Sequence, residues 1–314
     1  MRALITGSSG HLGEALVRCA GSHGFDVVGL DARPSEFTAF VGSVCDAELV
    51  RAAMQDVDVV IHSATLHKPH IATHSTFDFI DTNVIGAATI LEESVRAGLR
   101  GVVFTSTTSA FGSALRPTRE DGAAWIDEDL AAIPKNIYGA TKVHAEDLCE
   151  LFHRRHRLPV IILRVARFFP ERDEKNEARL GLSDENIKAN DFLYRRVDLS
   201  DAVSAHYMSA RKLAEVGFAK YVVCATTPFD RVHRKKLMED APRIVASFYP
   251  DYPEIYARYG WKMQRQIDRI YVNRSIREDI GWTPEFCFGE ILRRLDAGLP
   301  AVSELSLEVG HRGY

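Results

Sequence analysis

Tyr138 and Lys142 stand four residues apart in the stretch YGATK. On an α-helix, positions i and i+4 share a face, so the two side chains point the same way. A phenol beside an ammonium is a proton-transfer pair, because the positive charge favours the phenolate and lowers its pKa from about 10 toward neutrality. Such a tyrosine can take a proton from an alcohol while hydride leaves the same carbon, and can return it in the reverse direction. The spacing by itself fits a surface helix equally well. A cofactor site and an orienting partner have to come from the rest of the chain.

The segment TGSSGHLG places Gly7, Gly10 and Gly13 in a G-x-x-G-x-x-G spacing. It joins a short apolar run (2–7) to a stretch of helical periodicity (11–24). The first glycine permits the tight turn, the second lets backbone approach a pyrophosphate, and the third lets helix pack on strand. Ser9, His11 and Leu12 belong to the same cradle. Asp31 ends the next strand, FDVVGLD (25–31), where a carboxylate accepts from the adenosine ribose. It points to NAD, since it repels a 2′-phosphate, while Arg33 keeps NADP open.

The elements that must hold these residues alternate. Strands are expected at 57–64, 158–168 and 220–226, with strand then loop over 99–112, and helices over AELVRAAMQDV, 76–98, 138–156 and SDAVSAHYMSARKLAE. Continuous Val/Ile runs indicate strands covered on both faces. The expected fold is α/β: a Rossmann-like, doubly wound parallel sheet with a small C-terminal substrate lobe. Residues 1–168, with 196–226, make the cofactor domain. Residues 169–195, charged and loop-like, and 227–314 make the substrate lobe at the carboxyl edge of the sheet.

Composition sets bounds. Of 314 residues, 46% are apolar and 26% charged, with a net charge of −4, so nothing points to nucleic acid or an anionic membrane. No apolar run approaches the roughly 20 residues of a membrane span, and the start lacks a signal-peptide core. Five scattered cysteines form no metal or disulfide pattern, which suggests reduced thiols in a cytoplasm.

With these pieces in order, the chain resembles the extended short-chain dehydrogenase/reductase family, the NAD-dependent epimerase/dehydratase group. The resemblance runs from TGSSGHLG to REDIGWTP and includes GSVCD, IHSA, NVIGA, FTSTTSAFG and YGATK. It implies that Asp46 holds the adenine amine, although Asp46 can equally cap the helix that follows. It implies that Ser63, Ala64 and Thr65 line the phosphates and ribose, with Thr105 and Ser106 nearby. Asn83 would brace the loop beneath the cofactor, or simply be a polar residue within a helix. Thr107 falls at the catalytic Ser/Thr position and would orient the reacting oxygen. Lys142 would also hold the nicotinamide ribose. A homodimer through helices 76–98 and 138–156 is a further implication.

The resemblance implies an NAD-dependent sugar or nucleotide-sugar epimerase or oxidoreductase. A dehydrogenase or reductase of a non-nucleotide substrate is the alternative, and an NAD(P)-sensing binding protein a more distant one. The family's sugar 4,6-dehydratases carry Asp-Glu directly after the catalytic Thr; here Thr108 and Ser109 stand there, so dehydration is not expected. Arg167 replaces an asparagine and Asn190 an arginine of the UDP-sugar enzymes, which weighs against a UDP-sugar. Arg167 and Arg195, with Arg196, are candidates for a phosphate or carboxylate, or for structural ion pairs. His67 and Lys68 in LHKPH, together with Thr108, are candidate substrate contacts. Two histidines without a carboxylate do not define a metal site. The aromatic stretch 248–261 is a lid over a sugar-like ring or the core of the small lobe.

Overall fold

The computed structural model describes residues 1–117, 122–172, 177, 178 and 180–311. The 169–195 and 227–314 segments therefore extend in part outside the described residues.

Seven parallel strands form the main sheet among the described residues: β1 (Arg2–Thr6), β2 (Asp26–Asp31), β3 (Phe40–Val41), β4 (Val59–His62), β5 (Gly101–Thr107), β7 (Val160–Val165) and β8 (Phe218–Val223). Their spatial order is β3-β2-β1-β4-β5-β7-β8. The direction of progression reverses between β1 and β4, which opens a crevice at their carboxyl ends. β6 (Ala124–Ile126) pairs in parallel with β9 (Arg269–Tyr271) as a separate ribbon.

Every residue of β7 is buried, as its VIILRV sequence requires of a strand covered on both sides. Alternate residues serve different layers. Ile161, Leu163 and Val165 join Leu12 and Leu16 of α1 (His11–Cys19) and Ala202 and Val203 of α7 (Leu199–Val216). Val160 and Ile162 join Val50 of α2 (Ala47–Ala53), Ile90 and Leu91 of α4 (Gly86–Ala97), and Ala145 and Cys149 of α5 (Ile137–His156).

The expected helix 76–98 is α3 (Thr76–Ile80) running into α4 through a wider π-helical turn at 81–85. Asn83 lies in that turn, and Gly98 stops the helix in the left-handed region, φ +65°.

A third core contains Phe192, Leu193, Phe229, Leu237, Ile267 and Phe288. It joins α6 (Asp184–Asp191), α8 (Arg234–Phe248), α9 (Tyr252–Arg258) and α11 (Phe288–Asp296), while α10 (Arg274–Ile280) and α12 (Glu304–Val309) pack toward the sheet domain. Tyr252 and Tyr256 are buried in the third core, so the aromatic stretch packs the lobe.

The reading of 169–195 as loop-like needs correction, because it contains α6. That helix is polar in sequence yet buries Asn186, Asn190 and Asp191. Its buried amides are satisfied: Asn186 Nδ2 donates to the Lys262 carbonyl (3.0 Å), and Lys262 N donates back to Asn186 Oδ1 (2.9 Å). Burial by hydrogen bonding rather than apolarity leaves no hydrophobic period to read.

Candidate active site

A cavity of about 1080 Å³ lies along the carboxyl edge of the sheet. One end is built from the glycine loop. Gly7 sits at φ +76°, and a Cβ there would stand 2.7 Å from Ala64 N, so a side chain is excluded on both counts. A Cβ on Gly13 would fall 1.9 Å from the Gly7 carbonyl oxygen, which fixes how closely α1 approaches β1. The helix begins at His11, so its first-turn N–H groups have no intrahelical acceptors and face the cavity with the positive end of the dipole.

Asp31 closes this end. Its Oδ2 accepts from Ser9 N (2.9 Å) and its Oδ1 from Arg33 N (2.8 Å). The Ser9 hydroxyl is occupied by the neighbouring loop, donating to the Arg33 carbonyl (2.8 Å). Asp46 does not line the cavity; its Oδ1 accepts from Glu48 N and Leu49 N at the start of α2.

The floor is braced by Asn83. Its Oδ1 accepts from Leu66 N (2.8 Å) and from the Thr65 hydroxyl (2.9 Å). Its Nδ2 donates to the Leu66 carbonyl and to Thr141 Oγ1, both at 2.9 Å. Thr141 in turn donates to the Ile137 and Tyr138 carbonyls. One side chain therefore ties the loop after β4 to the helical turn that carries Tyr138. Ser63 adds a bond to the Thr6 carbonyl (2.7 Å).

At the other end, Thr107 closes β5 and its Oγ1 accepts from Ser109 N (3.1 Å). Tyr138 lines the cavity beside Thr107, close enough for the Thr107 side chain to influence its titration. Asn136 caps α5 by accepting from Gly139 N (2.9 Å), which places Tyr138 in the first turn. Lys142, one turn later, lies behind it. Its Nζ sits 4.0 Å from the Phe104 ring centroid, and only 1% of the residue is exposed.

The electrostatics here differ from the expectation that Lys142 lowers the tyrosine pKa. Burial pushes Tyr138 up to about 12, with the Thr107 side chain opposing it. Burial likewise pushes Lys142 down to about 8, against the fields of Cys149 and Glu146. The dry wall opposes charge on both groups. The chain alone leaves Tyr138 protonated, and the phenolate needs positive charge beyond Lys142.

Two other β5 residues are committed to the scaffold. Ser106 Oγ donates to Glu146 Oε1 (2.5 Å), and Glu146 pairs with buried Arg164 (2.7 Å). Thr105 bonds His206 Nε2 (2.9 Å), while His206 Nδ1 is within 2.7 Å of the Ala202 carbonyl. Burial holds His206 neutral, pushed down to about 4, so Nδ1 carries the proton and Nε2 accepts from Thr105.

The glycine cradle, the carboxylate at the end of β2 and the braced floor fit a dinucleotide. Residues 3–216 match the family model described as the NAD dependent epimerase/dehydratase family. The chain belongs to this family. Its cofactor is accordingly NAD. The chain is 29% identical over 173 residues to a UDP-glucose 4-epimerase of Azospirillum brasilense, covering 52% of this chain and 48% of that one. It is 29% identical over 184 residues to a dTDP-glucose 4,6-dehydratase of Streptomyces niveus, covering 52% and 53%. It thus spans about half the length of these curated relatives. A short-chain dehydrogenase/reductase superfamily protein of Agrobacterium tumefaciens, crystallised with NAD, superimposes with a TM-score of 0.66 at 21% identity, covering 95% of this chain and 96% of that one. A UDP-glucose 4-epimerase of Thermotoga maritima, with UDP-glucose, gives 0.63 at 22%, covering 93% and 96%.

Within the family's pattern, the substrate candidates separate. His67, Lys68, Thr108, Arg167 and Arg195 all line the cavity, but Arg196 does not. His67 is stacked on Phe169, ring centroids 5.4 Å apart, and burial pushes it down to about 3, so it is neutral. Arg196 is buried and donates to the Phe168 and Phe169 carbonyls. Asn190 is structural: its Nδ2 donates to the Lys262 carbonyl and its Oδ1 accepts from the Tyr256 hydroxyl. Sequence reasoning missed Thr141, which lies inside YGATK, and Tyr271, which reaches the cavity through long-range backbone pairing of β9 with β6 and with Tyr194. Among the described residues no cluster of His, Cys, Asp or Glu is arranged to hold a metal, and no helix is long and apolar enough to cross a membrane.

Proposed function

We propose that this chain is an NAD-dependent epimerase or oxidoreductase acting at a secondary alcohol of a carbohydrate-like substrate, with Thr107, Tyr138 and Lys142 as its catalytic set. The observation that carries the reading is the juxtaposition of Tyr138 and Thr107 on the wall of the cavity that Gly7 and Asp31 also line. NAD, when bound, supplies a hydride acceptor or donor and, when oxidised, a positive ring. Thr107 Oγ1 orients the substrate oxygen. Tyr138 Oη takes the alcohol proton as hydride departs and returns it in the reverse step. Lys142, behind the tyrosine, supports the phenolate and the ribose. Asp31 accepts from the adenosine ribose, while Asp46, off the cavity wall, is left to cap α2.

Thr108 and Ser109 bring no carboxylate beside Thr107, which supports hydride chemistry without loss of water. The relatives named for UDP-glucose and dTDP-glucose make a sugar the natural substrate class. Arg167 and the structural Asn190 favour a substrate other than a UDP-sugar. Isotope transfer tests the reading. A substrate deuterated at the reacting carbon should pass its deuterium, as deuteride, to the nicotinamide in a dehydrogenase, or keep it in the inverted product of an epimerase. Deuterium lost to solvent in either case excludes direct hydride transfer. Cofactor retained through gel filtration indicates the epimerase, and cofactor released indicates the dehydrogenase.

A further inference from the structure

Three backbone segments meet at the substrate end of the cavity. Arg167 N donates to the Arg195 carbonyl (3.3 Å), and Tyr271 N donates to the Tyr194 carbonyl (2.8 Å). Each segment puts an arginine on the wall: Arg167, Arg195 and Arg269. Arg269 and Tyr271 are two apart on β9 and so share a face of the strand.

The counter-ions stand behind this wall. Asp191 accepts from Arg195 Nε (2.9 Å), and Asp268 takes Arg269 in a two-pronged pair (both 2.8 Å). Neither aspartate lines the cavity. Arg195 Nη2 is buried and makes no hydrogen bond, an orphaned donor on a guanidinium that already has its acid. Among the described residues, the acids on the cavity wall are Asp31, beside the glycine loop, and Glu171. The guanidinium groups therefore meet the cavity with their aspartates behind them, and Arg195 brings an unused donor.

It is also close to the chemistry. The Tyr271 side chain lies within interaction range of Thr108 and Arg269, all three line the cavity, and Thr108 directly follows Thr107. We infer that Arg195, with Arg269 beside it, binds a compact anionic group of the substrate, a carboxylate or a phosphate monoester, close to the carbon that exchanges hydride. This rests on the hydride-transfer reading and narrows its substrate class. In a nucleotide sugar the diphosphate lies across the ring from such a carbon, whereas a sugar acid or sugar phosphate can place its anion beside it. A planar guanidinium matches either anion with directed donors.

The test is a substrate panel with NAD: a hexose, the hexuronic acid of the same configuration, the hexose monophosphate and the UDP-hexose, followed by cofactor reduction and epimer formation. The acid or the monophosphate should exceed the neutral hexose in kcat/KM by about tenfold or more, the factor that a charge-assisted hydrogen bond contributes. The preferred arm identifies the anion. Arg195→Met should reduce that ratio about tenfold, chiefly through KM, and Arg195→Lys should restore part of it. Arg269→Met is the second variant should Arg195→Met not fold, with the same direction expected. Equal turnover of the hexose, preference for the UDP-hexose, or a ratio unmoved in the arginine variants would overturn the inference and leave the hydride-transfer reading intact. No turnover in any arm by NAD-bound protein would overturn both.

Discussion

Asn83→Ala removes the joint between the loop after β4 and the first turns of α5. The side chain makes four hydrogen bonds, two with Leu66 backbone and one each with Thr65 and Thr141. The two threonine hydroxyls keep other partners, Thr65 on the Leu66 carbonyl and Thr141 on Ile137 and Tyr138. Leu66 N is the group left orphaned, and its carbonyl loses its amide donor. Stranding a backbone donor costs about 1–3 kcal/mol, and the lost bond to the carbonyl adds about 1, so the variant should lose roughly 2–4 kcal/mol. At about 2 °C per kcal/mol for a chain of this size, Tm should fall by roughly 4–8 °C. Thermal unfolding by circular dichroism measures this, and titration calorimetry with NAD measures the site. Because Thr65 lines the cavity and Thr141 neighbours Tyr138, NAD affinity should fall with stability. Asn83→Asp keeps the acceptor but loses both donated bonds, so it should fall between wild type and Asn83→Ala. A Tm within about 1 °C of wild type together with unchanged NAD affinity would refute the bracing role.

Two further outcomes follow from the electrostatics. Lys142 is held at about 8 in the folded protein, below its ordinary 10.5, so the folded state binds fewer protons than the unfolded one. Its burial therefore destabilises the fold below pH 8, and the penalty is relieved as pH rises from about 8 toward 10.5. Lys142→Met should abolish that gain, worth roughly 3 kcal/mol at most, and denaturant unfolding of both proteins at neutral and alkaline pH reads the difference. Asp31→Ala removes the carboxylate proposed to accept from the adenosine ribose, so NAD affinity should drop about tenfold while the preference over NADP narrows; competition binding with both nucleotides checks it, and an unchanged preference would reassign Asp31.

The sheet was legible because its strands are buried on both faces, and a buried parallel strand has to be a Val/Ile run. The glycine turn and the helix through YGATK were legible because each is set by residues within one turn or one helix face. What escaped depends on distance or on polarity. β6 and β9 pair residues 124–126 with 269–271, and no local period marks that join. It brings Arg269 and Tyr271 to the cavity. α6 escaped because its buried polar side chains are two amides satisfied by partners in the 256–262 segment and an acid, Asp191, satisfied by Tyr194 and Arg195. The sign of the tyrosine shift escaped for a related reason: helical spacing reveals that Lys142 is near, but not that both groups are dry.

Tyr138→Phe tests the central claim most directly. The substitution removes one hydroxyl from a buried ring and leaves Gly7, Asp31 and Asn83 in place. With a substrate identified from the panel, NAD affinity should stay within about twofold of wild type, while kcat/KM should fall by about 100-fold or more, the contribution expected of a positioned proton-transfer group. Full turnover by the phenylalanine variant would contradict the assignment of Tyr138 as the group that moves the proton.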